Sequence, residues 1–369
     1  GERPQTILAS VIGDFFNFDE GNAEDDRALN ITIDDDRVNQ IRNFFPGRGL
    51  QIYTSGGEFT IRSGLNEPIT PSNIAQLLNK ETLHGITKVP PQSVDGTTIF
   101  IEQKGSIVRQ FTFNEVEQSF NAINISIKSQ HLIRDPVAMD IRRSVPEEPT
   151  DYLFLVNKDG TVAVLNSLRE QELLAWSQVT TEGEFEDVAV SNRIAYFIVK
   201  RTINGSTVRY LEALNQDHFT DASTLQTSGT ATTSWSNLSH LNGETVKVRG
   251  DDFILDNEDV ASGSITSSKA VKQLEAGINF KAKVKALPLE VVIEGQTFSG
   301  EWKSLQKVML KLLDSRNVVV DIGGKTTRPA FRSFGDNTLD QAISLFTGWV
   351  QIIGGGVSRD VDVTFTQEE

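Results

Sequence analysis

Four times in this chain a pair of alternating apolar runs flanks a short glycine-containing turn, and that recurrence constrains the fold more than any other feature. The pairs are Leu50–Thr54 with Glu58–Ile61, Thr98–Glu102 with Ile107–Phe111, Tyr152–Val156 with Thr161–Leu165, and Ala195–Val199 with Thr207–Leu211. Their turns contain Gly56-Gly57, Lys104-Gly105, Asp159-Gly160 and Asn204-Gly205. A period of two puts successive side chains on opposite faces of a strand. Val, Ile, Phe and Tyr suit such a pleated surface. Asp-Gly and Asn-Gly suit type I′ turns, whose two central residues need positive φ.

The hairpins recur about every 45–50 residues, the repeat length of propeller blades. A further strand is expected ahead of each, at Val38–Phe44, Ile86–Val89, Val137–Ile141 and Phe185–Val190. Aromatic-rich connectors such as Leu173-Leu174-Ala175-Trp176 follow them. Three or four strands per repeat make a blade. The reading is an all-β protein whose residues 1–220 form a β-propeller-like array, without a recurring WD or kelch signature. The alternative is a sandwich of unrelated hairpins. Helix is scarce: a turn or two at Pro71–Leu78 with Ser72 or Asn73 near the N-cap, and short helical turns at Asn114–Phe120 and Leu168–Leu174.

Composition changes near residue 220. Residues 221–236 are rich in Thr, Ser and Gly and read as a linker or exposed loop. Residues 237–369 then read as a β-rich platform domain. Its strands are expected at Gly243–Val248, Asp251–Asp256, Gly263–Thr266, Ile278–Lys285, Trp349–Ile353 and Val361–Phe365. Lys307–Leu313 and Asn317–Ile322 read as a hairpin around Asp314-Ser315-Arg316-Asn317. Trp302, Leu305, Val308, Met309 and Leu312 also share a helical face, but Val318-Val319-Val320 directly after a short turn favours strand. A length of 369 residues suits two or three domains.

The formal net charge is −15. A chain this acidic does not grip nucleic acid by neutralising phosphates, which takes Lys/Arg surfaces. Its acidity either keeps it soluble or lines a surface that repels a polyanion. With no cysteine, disulfides, thiolate metal sites and thiol nucleophiles are excluded. No apolar run of membrane-spanning length and no charged-then-apolar leader is visible, so no membrane insertion is expected. The chain begins Gly1-Glu2-Arg3-Pro4, without methionine, which suggests a trimmed start.

Motifs for chemistry are weak. Gly323-Gly324-Lys325-Thr326-Thr327 looks like the end of a phosphate-binding loop, but position 319 is valine where that loop needs glycine, and Arg328-Pro329 blocks the helix that must follow. His84, His131, His218 and His240 lack partners at zinc-ligand spacing. No Gly-x-Ser-x-Gly elbow occurs. The acid clusters Glu24-Asp25-Asp26 and Asp34-Asp35-Asp36 lack the calcium-loop spacing. No acid–base pair of carboxylates can be chosen, so neither enzyme activity nor a cofactor is expected. Trp235 is the one aromatic in a polar loop that suits a glycan.

Several segments, in order along nearly the whole chain, resemble the nozzle (tail tubular protein B) family of short-tailed phages and related prophage tail proteins. They include Gln5-Thr6-Ile7-Leu8-Ala9-Ser10, Gly13-Asp14-Phe15-Phe16-Asn17-Phe18, the run Gly47–Phe59, His131–Pro136, Val156–Gly160 and Leu238–Val246. Leu287-Pro288-Leu289-Glu290 and Ser315-Arg316-Asn317 continue the order. The resemblance implies a β-propeller with an added β-platform, assembled as a homohexameric ring around a DNA channel in the virion tail. Its partners would be a tail adaptor protein and tail fibres or a tip protein, with double-stranded DNA passing without specific binding. Such a protein is made in the bacterial host cytoplasm, and since members of the family carry more sequence ahead of the Arg3-Pro4-Gln5 region, the resemblance also implies a propeller incomplete at its N-terminal end. Asp34, Asp35 and Asp36 are the expected channel or rim patch, and Lys281, Lys283 and Lys285, within a local lysine enrichment, the expected subunit-docking patch. A receptor- or glycan-binding propeller at a tail tip is the competing function.

Overall fold

The computed structural model describes residues 3–21, 24–62, 69–146, 148–287, 292–293, 296–297, 300–331, 342–354, 356–359 and 361–367. Strand accounts for 56% of the chain and helix for 4%, so it is all-β. Residues 1–202 with 207–215 form one compact unit, and residues 203–206 with 216–369 a second.

The first unit opens with the antiparallel pair β1 (Thr6–Ala9) and β2 (Leu29–Thr32). Three four-stranded antiparallel meanders follow. They are β3 (Ile41–Gly47), β4 (Gly49–Thr54), β5 (Glu58–Ile61) and β6 (Leu78–Thr82); β7 (Gln92–Val94), β8 (Thr97–Ile101), β9 (Val108–Asn114) and β10 (Ser119–Asn124); and β11 (Pro136–Arg142), β12 (Asp151–Asn157), β13 (Val162–Leu168) and β14 (Leu173–Val179). A three-stranded meander closes the unit: β15 (Glu184–Ser191), β16 (Ile194–Ile203) and β17 (Ser206–Ala213). In each sheet the strands pair in chain order.

These sheets stack face to face, and the period of two explains how. In β12, Leu153 and Leu155 enter one apolar cluster with Ile99, Ile101 and Val108 of the neighbouring sheet and Met139 of their own. Phe154 and Val156 enter another with Phe185, Val188, Phe197 and Val199. The same alternation divides Ile99 and Ile101 from Phe100 in β8, and Ile52 from Tyr53 in β4. A strand buried on both faces reads as a near-continuous apolar run, as Leu153-Phe154-Leu155-Val156 does. Aromatic edges fill the gaps: Phe154 and Phe197 meet at 5.6 Å and 86°, and Phe111 and Phe120 stack at 4.6 Å.

The turns follow the sequence reading in part. Asn204-Gly205, with φ of 47° and 73°, is a two-residue turn with both centres positive, as expected, and Asp95-Gly96 (48° and 73°) is another. Asp159-Gly160 differs: only Gly160 has positive φ (79°), and Asn157 accepts from the Gly160 amide at 3.0 Å while donating to the Thr161 carbonyl at 2.8 Å. That is a longer turn ending in a glycine bulge. A Cβ on Gly160 would also lie 2.7 Å from Glu184 Cβ of the next sheet. Ile86–Val89 is not the outer strand of its sheet; Ile86 makes one bridge to Glu102, and β7 takes that place. Leu173–Trp176 is not a connector but the start of β14. The expected helical turn at Asn114–Phe120 is instead the tip of the β9–β10 hairpin, with residues 115–118 as its loop, because Asn114 Oδ1 accepts the Val116 amide at 2.9 Å and ends the strand there. Among the described residues helix is limited here to α1 (Ile74–Leu77), one turn of the expected Pro71–Leu78, and 3₁₀ turns at Gln130–Leu132 and Arg169–Gln171.

In the second unit the expected linker at 221–236 is strand. β18 (Asp221–Trp235) runs antiparallel to β22 (Ile265–Ile278), which also pairs with β19 (Thr245–Gly250). The short β20 (Phe253–Ile254) and β21 (Glu258–Asp259) pair with β19. Thr is a good strand former, and one polar face is enough for a strand with solvent on the other. Gly277 permits the close approach, since a Cβ there would lie 2.5 Å from Thr220 Oγ1. The buried Glu275 carboxylate then holds the start of β18, accepting the Phe219 amide at 2.7 Å and the Thr220 hydroxyl at 2.8 Å.

Beyond it lie β23 (Ala282–Lys285), the short pair β24 (Val292–Ile293) and β25 (Gln296–Thr297), β26 (Lys303–Ser304), β27 (Lys307–Ser315), β28 (Val319–Ile322), β29 (Lys325–Thr327), β30 (Phe346–Ile353), β31 (Val357–Ser358) and β32 (Val363–Gln367). Their sheet order β23-β32-β28-β29 overturns the expected hairpin of 307–313 with 317–322. β27 pairs instead with β30, and β28 with β32 and β29. The apolar alternation was compatible with either partner; the inward faces of both pairs meet in one core of Val320, Ile322, Ile352, Val361 and Val363, with Val308, Leu310 and Val350 against it.

Candidate interaction surfaces

Asp34, Asp35 and Asp36 follow β2 on a loop, and the structure separates them. Asp34 and Asp36 are exposed, whereas Asp35 turns inward. Lys80 Nζ lies 2.7 and 2.6 Å from its two oxygens, and Asn39 Nδ2 donates to it at 2.6 Å. The Lys80 hydrogen bond, followed by that from Asn39, holds the Asp35 carboxyl below its usual range. Asn39 is buried and accepts the Thr54 hydroxyl at 3.1 Å, so Asp35 anchors this loop to the first hairpin. The outward charge here comes from Asp34 and Asp36. The other acid cluster is engaged as well: Arg27 lies 3.2 Å from Glu24 and 3.8 Å from Asp26, and Asp25 accepts from Ser72 at 2.8 Å.

Lys281 directly precedes the edge strand β23, which carries Lys283 and Lys285, and all three are exposed. Lys285 Nζ pairs with Asp362 at 2.5 Å. Val284, on the opposite side of this strand, is also exposed.

Unit one has a cleft of about 440 Å³ lined by Phe45, Arg48, Gln51, Thr98, Phe113 and Glu115, among others. Its polar floor is internally satisfied: Gln51 Oε1 accepts from Tyr53 Oη at 2.8 Å and Thr98 Oγ1 at 2.7 Å. Arg48 closes over it, paired with Glu115 and stacked 4.3 Å above the Phe113 ring. The same two sheets also hold a buried ionic cluster. Arg109 donates to Glu102 at 2.8 Å, and Glu58 accepts from Thr82 and from the His84 amide. Burial pushes the Glu58 carboxyl above its usual range.

The histidines do not converge. His240 Nε2 bonds the Ala222 carbonyl at 2.8 Å, His218 meets Ser223, His131 is exposed and His84 is half-buried. Among the described residues no group of three or more His, Asp or Glu side chains could hold a metal ion. Gly323 and Gly324 form a β28–β29 hairpin turn with φ of 56° and 88°, with Lys325 already in strand. This agrees with the rejection of a phosphate loop. Trp235 is buried at the end of β18, not displayed in a loop, because its strand pairs with Ile265. The exposed indoles are Trp302 and Trp349. Sequence reading missed them since both lie in or beside alternating strands, where exposure depends on which face is covered.

No family model matches the chain, and no curated protein matches it at a significant level. Pro288, Leu289 and Glu290, within the resemblance described above, lie outside the described residues.

Proposed function

We propose that this chain is a structural component of a short phage tail: a nozzle ring that forms part of the channel for DNA ejection. The observation that carries this reading is the stack of four-stranded meanders in chain order, with central strands buried on both faces. Such packing supports a reading of these sheets as propeller blades, with the second β unit as the platform. The segments resembling the nozzle family run through both units.

The electrostatics suit a conduit. Each Lys/Arg–phosphate contact adds affinity and therefore friction to a sliding duplex. A chain of net charge −15 repels the phosphates. Asp34 and Asp36 are the proposed channel or rim charges, and the Lys281–Lys285 edge a docking patch. The partners on this reading are further copies in a ring of six, a tail adaptor and tail fibres or a tip protein, all in the virion tail. Gel retardation with a labelled duplex tests the conduit property. At micromolar protein and physiological salt the DNA should run free; tight binding that falls steeply with salt would contradict the reading.

The alternative is a receptor- or glycan-binding propeller at a tail tip. Trp302 favours it, being 65% exposed with Arg359 5.3 Å from its ring centre. Specific retention on a glycan array, lost in Trp302→Ala, would select it.

A further inference from the structure

Two exposed apolar surfaces in this chain are unlike in shape and opposite in charge. The first is a knob at residues 11–18. Its backbone closes on itself: the Val11 amide donates to the Asn17 carbonyl at 2.9 Å, the Asp14 amide to Val11 at 3.1 Å, and the Asn17 amide to Asp14 at 3.2 Å. Gly13, at φ 80°, makes the bend. The result displays Ile12 at 73%, Phe15 at 80% and Phe16 at 94% exposure. Asp14 lies among them, and its carboxylate has no partner among the described residues. The preceding β1 fixes the knob to the first sheet.

The second surface is the outward face of the β27–β30 ribbon. Its inward face, with Val308, Leu310, Val350 and Ile352, covers the core. Strand alternation therefore sends Lys307, Met309, Lys311 and Leu313 outward from β27, and Thr347, Trp349, Gln351 and Ile353 outward from β30. Register places Lys311 opposite Trp349 and Lys307 opposite Ile353. Leu313, Trp349 and Ile353 are each more than half exposed. Neither lysine has a carboxylate partner among the described residues. A strip of large apolar side chains of this kind marks an interaction site.

Resting on the ring reading above, we infer that the knob of one copy docks on the β27–β30 ribbon of the next copy. Phe15 and Phe16 lie against Trp349 and Ile353, and Asp14 faces Lys307 and Lys311. The match is an apolar surface with an acidic centre against an apolar surface with basic neighbours, in an otherwise acidic protein. The two surfaces differ, so the contact is heterologous, and such contacts propagate into a ring when the rotation closes. The knob is smaller than a standard interface of roughly 800 Å² per partner. One contact alone is therefore weak, and closure of the ring makes it effectively intramolecular.

The absence of native cysteine makes the test direct. The single variants Phe16→Cys and Trp349→Cys, both at exposed positions, are purified, mixed and oxidised mildly. The expected result is a disulfide between one variant and the other, at least about tenfold above either variant alone. Self-linked Trp349→Cys, self-linked Phe16→Cys, or no cross-link in the mixture would overturn the inference. A six-fold ring seen without the mixed disulfide would sink this contact and leave the ring reading standing. A mixed disulfide found together with open filaments rather than closed rings, seen by electron microscopy of the unmutated chain, would keep the contact and sink the ring.

Discussion

Adjacent residues Phe154 and Leu155 in β12 provide the sharpest test of the sheet stack. Phe154 is 3% exposed and Leu155 fully buried, and they enter clusters on opposite faces of one sheet. Leu155→Ala removes three carbons, about 2.4 kcal/mol at about 0.8 kcal/mol per methylene. The cavity term raises this to about 3–5 kcal/mol, because the neighbours Met139 and Ala163 are held by their own strand pairing and relax little. Phe154→Ala should cost a similar amount, about 3–5 kcal/mol, as its edge contact with Phe197 is lost as well. Urea-dependent hydrogen exchange, read on peptides from β11–β14, keeps the first unit's transition separate from the second's. A sheet covered on one face only would make one substitution costly and the other worth less than about 0.5 kcal/mol. That asymmetry would refute the stacked arrangement.

Three further outcomes follow from the packing. Arg201, 1% exposed, holds Glu212 through two 2.6 Å hydrogen bonds and the Glu182 carbonyl through a third at 2.8 Å. Glu212→Ala should therefore cost about 3–5 kcal/mol in urea melts by stranding a buried guanidinium, and a cost below about 1 kcal/mol would deny the pairing. Glu58 has a folded pKa raised by burial, partly offset by hydrogen bonds from Thr82 and the His84 amide and by the Arg109 charge. Its stabilising contribution is then complete below the unfolded value of roughly 4.3 and lost as pH rises through the folded value. Glu58→Gln should match the parent in the acid range and exceed it in melting temperature at pH 8; a lower melting temperature at pH 8 would reverse the assignment. Replacing Lys281, Lys283 and Lys285 together by Glu should lower the assembled fraction in sedimentation velocity, and unchanged assembly would remove the docking role of that strand.

The hairpins were legible in the sequence because each carries its own evidence: two runs of period two and a short turn. β4–β5, β8–β9, β12–β13 and β16–β17 all lie where the alternation puts them. Partner choice over distance was not legible. Nothing in Lys307–Leu313 distinguishes Val319–Ile322 from Phe346–Ile353 as a mate, since each offers apolar alternation, and only the shared core decides. The Thr-rich strand β18 was hidden by a composition that suits loops and solvent-facing strands alike. Charge clusters were visible as runs, but not the inward turn of Asp35 towards Lys80, which joins residues 45 positions apart. The exposed ribbon face went unread for a related reason: alternation gives two faces and does not say which is covered.

On the proposed reading, this chain builds a ring around a DNA channel. Electron microscopy of negatively stained particles, of the protein alone and mixed with a tail adaptor ring, tests it most directly. The predicted result is a six-fold ring with a hole wide enough for a duplex, formed alone or on the adaptor. A chain that stays monomeric by mass and never joins the adaptor would contradict the ring and favour a receptor-binding role.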